Sequence, residues 1–252
     1  MIANQDSTPD TMKKALTYTI AALVAAAELD GDRSADDRAF FQREHDALTP
    51  VFHRVSTTAA AVETHTLTVG MRAQVRVVVG DAVLDRGVRD AKARMKLELK
   101  NSAMPGGADH VFPSDVRDLT EAEARNEPAL VLQVAQRFAQ VPEYHQKSEQ
   151  RQMLEERARK QKENLDARDA ADLAEATLKG AQRLAIRDGA DALYRLEKRM
   201  LERFPREAKY VREFFYDTAP VRKEKKAAAP APGPAPAPAP VPPRSSQNPP
   251  PA

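Results

Sequence analysis

Residues 57–100 read TTAAAVETHTLTVGMRAQVRVVVGDAVLDRGVRDAKARMKLELK, and the period assigned to them decides the fold class. At period 2, Thr64, Thr66, Thr68 and Val69 followed by Val75, Val77 and Val79, with Gly70 and Gly80 beside them, describe a β-hairpin. At period 3.6, Val62, Thr66, Val69, Ala73, Val77, Gly80, Leu84, Val88, Ala91 and Met95 fall on one helix face in unbroken steps of three and four. The helical pattern covers the longer stretch, so a helix over about 57–100 is the preferred reading, with strands before Asp81 as the alternative. Ala73, Gly80 and Gly87 recur every seven residues on that face, which suits a second helix packed closely against it. Each interior glycine costs about 1 kcal/mol relative to alanine, and that packing has to offset the cost.

The required neighbour lies further along the chain. From Glu143 to Phe204 there is no proline, and residues 143–172 carry 7 basic and 8 acidic side chains around a thin seam of Leu154, Ala158 and Leu165. Leu173, Ala176, Gly180 and Leu184, then Leu193, Leu196, Met200 and Phe204, continue the seam. A charged helix with so narrow an apolar stripe needs company along its length. Sixty helical residues extend about 90 Å, and 57–100 is the segment placed to lie antiparallel to them. The expected fold class is all-α: an elongated antiparallel helical bundle with coiled-coil-like long helices and a disordered Ala/Pro-rich C-terminal tail.

Working outward, Thr8, Pro9 and Asp10 form a helix start, and Met12, Leu16, Ile20, Leu23 and Ala27 give the helix that follows one apolar face. Lys13 and Lys14 ahead of an uncharged run ending in Ala25, Ala26 and Ala27 also have the outline of an export signal. Asp6, Asp10 and the polar Thr and Tyr within the run favour a packed helix and a cytoplasmic protein, with export as the alternative. No run approaches the roughly 20 apolar residues that span a bilayer.

Four segments are expected. Residues 1–100 hold helices at about 9–29, 35–48 (capped by Ser34) and 57–100, with Pro50 kinking the second or opening the third. Residues 101–113, with Pro105, Gly106, Gly107 and Pro113, form a loop. Residues 114–216 hold a short helix from Ser114 or Thr120, one from Pro128 to about Gln140, the long helix at about 143–204 and, after Pro205, a last short helix at 206–216. Residues 217–252 form the tail.

Composition removes several classes of function. The 252 residues carry 39 Lys+Arg against 37 Asp+Glu, and the segment from Asp217 onward accounts for 5 basic and 2 acidic of them, leaving a nearly neutral body. A strongly cationic nucleic-acid-binding domain does not balance in this way. Leu, Ile, Val and Phe total 49, a thin core that fits long helices better than a compact sandwich. The absence of Cys excludes disulfides, thiolate metal sites and Cys nucleophiles. Phosphate-binding glycine loops, the Gly-x-Ser-x-Gly elbow and His-Glu-x-x-His are missing. The residues three before the histidines are Gln42, Pro50, Val62, Gly107 and Pro142, so no di-iron Glu-x-x-His pair exists. Asp30, Asp32, Ser34 and Asp36 have calcium-loop spacing, but Ala35 and Phe41 stand where that loop needs Gly and Glu. His45, His53 and His65 are 8 and 12 residues apart and do not share a helical face as ligands. No catalytic, metal or cofactor-binding residue is therefore assigned.

What remains is surface for partners. Six of the 13 aromatic residues lie between Tyr194 and Tyr216, among 7 basic and 4 acidic side chains. The tail opens on a basic cluster and continues as alternating Ala and Pro, a polyproline-II composition. Tyr210, Phe214, Phe215, Arg222, Lys223, Lys225 and Lys226 are the candidate partner-binding residues. The expected function is that of a non-enzymatic structural or adaptor protein working through helix–helix contacts with protein partners, including copies of itself. A nucleic-acid-associated protein using residues 194–226 is the alternative. A metal- or small-ligand-binding bundle around His45 and His53 is the second alternative.

Overall fold

Ser34 is extended, accepts a hydrogen bond from the Asp37 backbone N–H and opens a run of helix that continues, with one irregularity, to Leu99. The structure is a computed structural model that describes residues 3–29, 31, 33–101, 107–112, 116–121 and 123–217, all within a unit Met1–Thr218 distinct from Ala219–Ala252. Its helices are α1 (Pro9–Leu29), α2 (Ala35–His65), α3 (Met71–Leu99), α4 (Gly107–Val111), α5 (Arg117–Thr120), α6 (Glu127–Arg137), α7 (Lys147–Arg203) and α8 (Ala208–Glu213). A π-helical turn, Thr66–Gly70, joins α2 to α3, and a 3-10 turn, Phe138–Gln140, follows α6. There is no strand among the described residues. The tail, with Arg222, Lys223, Lys225 and Lys226, and also Asp30, Asp32, Pro105, Gly106, Pro113 and Ser114, lie outside them.

The fold is the expected elongated antiparallel arrangement of helices. Seven bridging pairs tie α2 and α3 to α7 and the residues just before it: Asp37–Arg203, Glu44–Arg199, Arg54–Asp188, His65–Ala171, Val77–Gln161, Val83–Arg157 and Glu98–His145. They are separated in sequence by 166, 155, 134, 106, 84, 74 and 47 residues, a steady fall that only one continuous antiparallel register produces. At 1.5 Å per residue α7 is about 85 Å long.

Residues 107–111, expected within a loop, form α4, and two features of the α2–α3 run also differ from the sequence reading. The expected gap between helices at 48 and 57 is helix, because α2 passes straight through Pro50. Proline removes a backbone donor and disfavours a helix interior, but Leu48 and Val55 on either side are buried at 3% and 0% exposure and hold the segment to the bundle. The second difference is a slip of register. Ala73, Val77, Leu84, Val88, Ala91 and Met95 are buried as the helical period requires, whereas Thr66 and Val69, expected on the same face, are exposed. The π turn inserts one residue into the helix, so the inward face passes from Val62 and His65 to Gly70 and then Ala73.

Apolar burial is concentrated at the two ends. One core joins α1, the first half of α2, the last third of α7 and α8, around Met12, Leu16, Leu23, Phe41, Leu193 and Met200. Its aromatic cap stacks Phe41 on Phe204 and Phe214, with ring centroids 5.6 and 5.5 Å apart. The other core joins α4, α5, α6, the second half of α3 and the start of α7, around Leu84, Met95, Phe112, Phe138, Tyr144 and Leu154. Between these two lobes runs a neck formed by the α2–α3 junction and the middle of α7.

Candidate interaction surface

In the neck the buried apolar residues are few and small, chiefly Ala73, Val77, Leu165 and Ala171, and polar bonds cross beside them. Gln161, buried at 1% exposure, donates from Nε2 to the Val77 carbonyl at 3.1 Å. Asn164 Nδ2 reaches the Arg76 carbonyl at 3.2 Å, and Arg157 Nη1 reaches the Val83 carbonyl at 3.1 Å. Arg76 and Val83 lie four residues before Gly80 and Gly87. A helical Cβ tilts toward the N-terminus and shields the carbonyls one turn back; without it, α7 side chains reach those oxygens. A Cβ on Gly80 would lie 2.7 Å from Asn164 Nδ2 and closer still to Gln161 Oε1, and one on Gly87 would overlap the Arg157 guanidinium. The small residues at 80 and 87 therefore admit donors as well as a helix.

Because α3 turns Ala73 and Val77 inward, its opposite side carries Met71, Val75, Val78 and Val79, and these with Leu67 of the π turn are all between 54% and 58% exposed. On α7, Leu173 and Leu184 are 72% and 55% exposed, and Ala176 and Gly180 are exposed with them. These four residues were expected to continue the α7 seam; they do not, because Ala171, Ala185, Ile186 and Gly189 carry the buried face there. There are thus two outward apolar strips, one at 67–79 on the π turn and α3, and one at 173–184 on the part of α7 that lies alongside α2. Monomeric proteins rarely leave large contiguous apolar surface open to water.

The α3 strip is flanked by Arg72 and Arg76, whereas the α7 strip, from Leu173 to Leu184, carries Glu175, Lys179 and Arg183. Between Thr66 and Gly80 the chain has Arg72 and Arg76 and no carboxylate; between Glu163 and Glu175 it has five carboxylates and one cation, Arg168. Asp169 pairs with Arg125 at 3.0 Å, and Glu175 with Lys179 at 2.6 Å. Arg72, Arg76, Asp166 and Asp172 are exposed, with no ion pair among the described residues.

The aromatic residues singled out from the sequence are largely in the first core. Phe214 and Phe215 are buried at 4% and 8% exposure, and Tyr210 packs edge-on to Phe214 at 5.0 Å. The Arg33 guanidinium lies 4.6 Å from the Tyr210 ring centre and is bonded to the Glu207 carboxylate. Tyr194 and Tyr216 remain 55% and 38% exposed. An open cleft of about 610 Å³ beside Tyr216 is lined also by Lys13, Lys14, Tyr18 and Phe52. His45 Nδ1 is 2.9 Å from Asp46, and His65 Nε2 is 2.9 Å from the Ala171 carbonyl, so each has a local structural partner. Among the described residues no three His, Asp or Glu side chains converge as metal ligands, and no helix is long and apolar enough to cross a membrane.

One group was not foreseen. Glu127, at the start of α6, is buried at 1% exposure, and its Oε1 has no hydrogen-bond partner. Burial, reinforced by Asp81 and Asp85 across the α3 interface, pushes its carboxyl up to about 9, so it is protonated at neutral pH. Burial also raises Asp85. A shared proton is what lets these carboxyls sit together.

Comparison of the chain with protein-family models, curated proteins and solved structures gives no match.

Proposed function

We propose that this protein is a non-enzymatic helical adaptor whose working surface is the neck between its two lobes. The observation that carries this reading is the two outward apolar strips, Leu67 of the π turn with Met71, Val75, Val78 and Val79 on α3, and Leu173 and Leu184 on α7, which none of the described helices covers. Each lobe has a closed core, so the neck strips are not needed for folding and are free for another helix to cover. The Ala/Pro-rich sequence beyond Tyr216 acts as a tether that holds the helical unit near its partner.

A photo-crosslinking side chain at Val75 in the full-length protein, in its native cell, tests the reading. A discrete adduct at position 75 that is absent with the same probe at exposed Lys162 supports it. Equal labelling at the two positions overturns it.

A further inference from the structure

The open cleft of about 610 Å³ in the first lobe is lined by Lys13, Lys14, Thr17 and Tyr18 of α1, by Phe52 of α2 and by Tyr216 after α8. We infer that it is a binding site for a small anionic molecule with a flat ring system, whose apolar body lies against Tyr18, Phe52 and Tyr216 and whose negative group meets Lys14. The cleft shares no residue with the two apolar strips, so the inference goes beyond the helix-contact reading and neither depends on the other.

The first argument is size and walls. Clefts of about 300–1,000 Å³ walled by aromatic and apolar side chains, with a few polar groups, are the usual form of a small-molecule site. Tyr18 and Tyr216 lie with ring centroids 6.0 Å apart, yet stay 45% and 38% exposed, so each keeps open ring surface. The Tyr18 hydroxyl donates to the Glu213 carbonyl at 3.1 Å, which fixes that wall to α8. Behind the lining residues, Met12, Leu16, Val55, Phe214 and Phe215 are buried in the first core. A cleft backed by a closed core is already formed, and a ligand entering it needs little further ordering.

The second argument is charge, which sets the sign of the ligand. Aromatic rings alone also suit a cation, but here two ammonium groups stand against one carboxylate, that of Asp10. Asp10 is already bonded to Lys13 at 2.7 Å, and this contact holds its carboxyl below the usual range. Lys14 is exposed and has no ion pair among the described residues. Its uncompensated charge beside the rings repels a cation and offers a carboxylate or sulfonate a charge-assisted hydrogen bond. Thr17, one turn on from Lys13 and Lys14, adds a hydroxyl on the same side of α1.

Equilibrium titration of the full chain with anilinonaphthalene sulfonate, a fluorescent aromatic anion, provides the test. Saturable one-to-one binding with Kd below about 100 µM is expected. Thioflavin T, a flat aromatic cation, is expected to bind at least about tenfold more weakly. Lys14→Glu reverses an exposed charge without touching the core and is expected to weaken the sulfonate about tenfold, while Lys14→Arg keeps its affinity within about twofold. Val75→Glu with Val78→Glu, on the α3 strip, should leave it unchanged. No saturable binding, a preference for thioflavin T, or an unchanged affinity in Lys14→Glu overturns the inference. So does a loss of binding in the Val75→Glu, Val78→Glu variant, which would place the dye on the α3 strip. The crosslinker at Val75 reads the helix-contact proposal separately, so the failure of either is told apart from the failure of the other.

Discussion

Gly87 on α3 and Arg157 on α7 fit together as an omitted side chain and the group that takes its place. The guanidinium occupies the volume a Cβ at position 87 would need and donates to the Val83 carbonyl at 3.1 Å. Gly80 does the same for Gln161 and Asn164 one heptad earlier. The low helix propensity of these positions is thereby offset by bonds that a larger residue would exclude.

Alanine substitutions separate this role from propensity. Gly80→Ala gains about 1 kcal/mol of helix propensity but displaces buried Gln161 from its acceptor, which costs about 1–3 kcal/mol; the net expectation is a loss of about 1 kcal/mol. At Gly180 a Cβ would meet nothing within 4 Å, and Gly180→Ala is expected to stabilise by up to about 1 kcal/mol. Urea denaturation of both variants checks the contrast, and equal effects would remove the structural role of Gly80.

Much of this was legible in the chain and some was not, for reasons of range. The stripe from Ala73 to Met95 and the seam of Leu154, Ala158 and Leu165 were readable because helical period and burial coincide there. The π turn leaves no periodic signal: one inserted residue shifts the phase without changing composition, which is why the helical period puts Thr66 and Val69 on the inward face. In mid-α7 the seam passes to Ala171 and Ala185, and alanine is too common in this chain to set a phase against Leu173 and Leu184. The outward strips followed from that ambiguity. Glu127 comes near Asp81 and Asp85 only because α6 packs on α7 alongside α3, which no local pattern encodes.

Pro50 is exposed and sits inside α2 with no backbone N–H to give. Pro50→Ala restores the donor and relieves the ring's clash with the preceding turn, and a gain of about 1–3 kcal/mol is expected. Thermal unfolding measures it. A fall in stability would mean that α2 needs a bend at this position.

Glu44 is buried at 8% exposure and receives two bonds from Arg199, at 2.8 and 2.6 Å. Arg199→Met strands the carboxylate and is expected to cost about 2–3 kcal/mol. Adding Glu44→Leu removes the stranded charge and should recover most of the loss. If the double variant is no better than the single one, the pair is not the source of the effect.

Glu127 sets a pH dependence of definite sign. Its carboxyl is raised from 4.5 to about 9 in the folded protein, chiefly by burial. A raised value means the folded state holds the proton more tightly. This favourable contribution is complete below about pH 4.5 and is lost as pH climbs toward 9, at up to about 1.4 kcal/mol per pH unit. Stability of the wild type relative to Glu127→Gln should therefore decline between those limits. Parallel pH profiles for the two proteins would contradict the buried neutral acid.

The central claim is that the neck turns one side of each helix inward and leaves an apolar strip facing out. Because the chain has no cysteine, single cysteines placed one at a time report it directly through their rate of reaction with a thiol reagent. In dilute protein, cysteines at Val75, Val78, Leu173 and Leu184 are predicted to react as freely as an exposed thiol, while those at Ala73, Val77 and Leu165 are strongly protected. Fast reaction at Ala73 and Val77, or protection of Val75 and Leu173 already in dilute solution, would contradict the account.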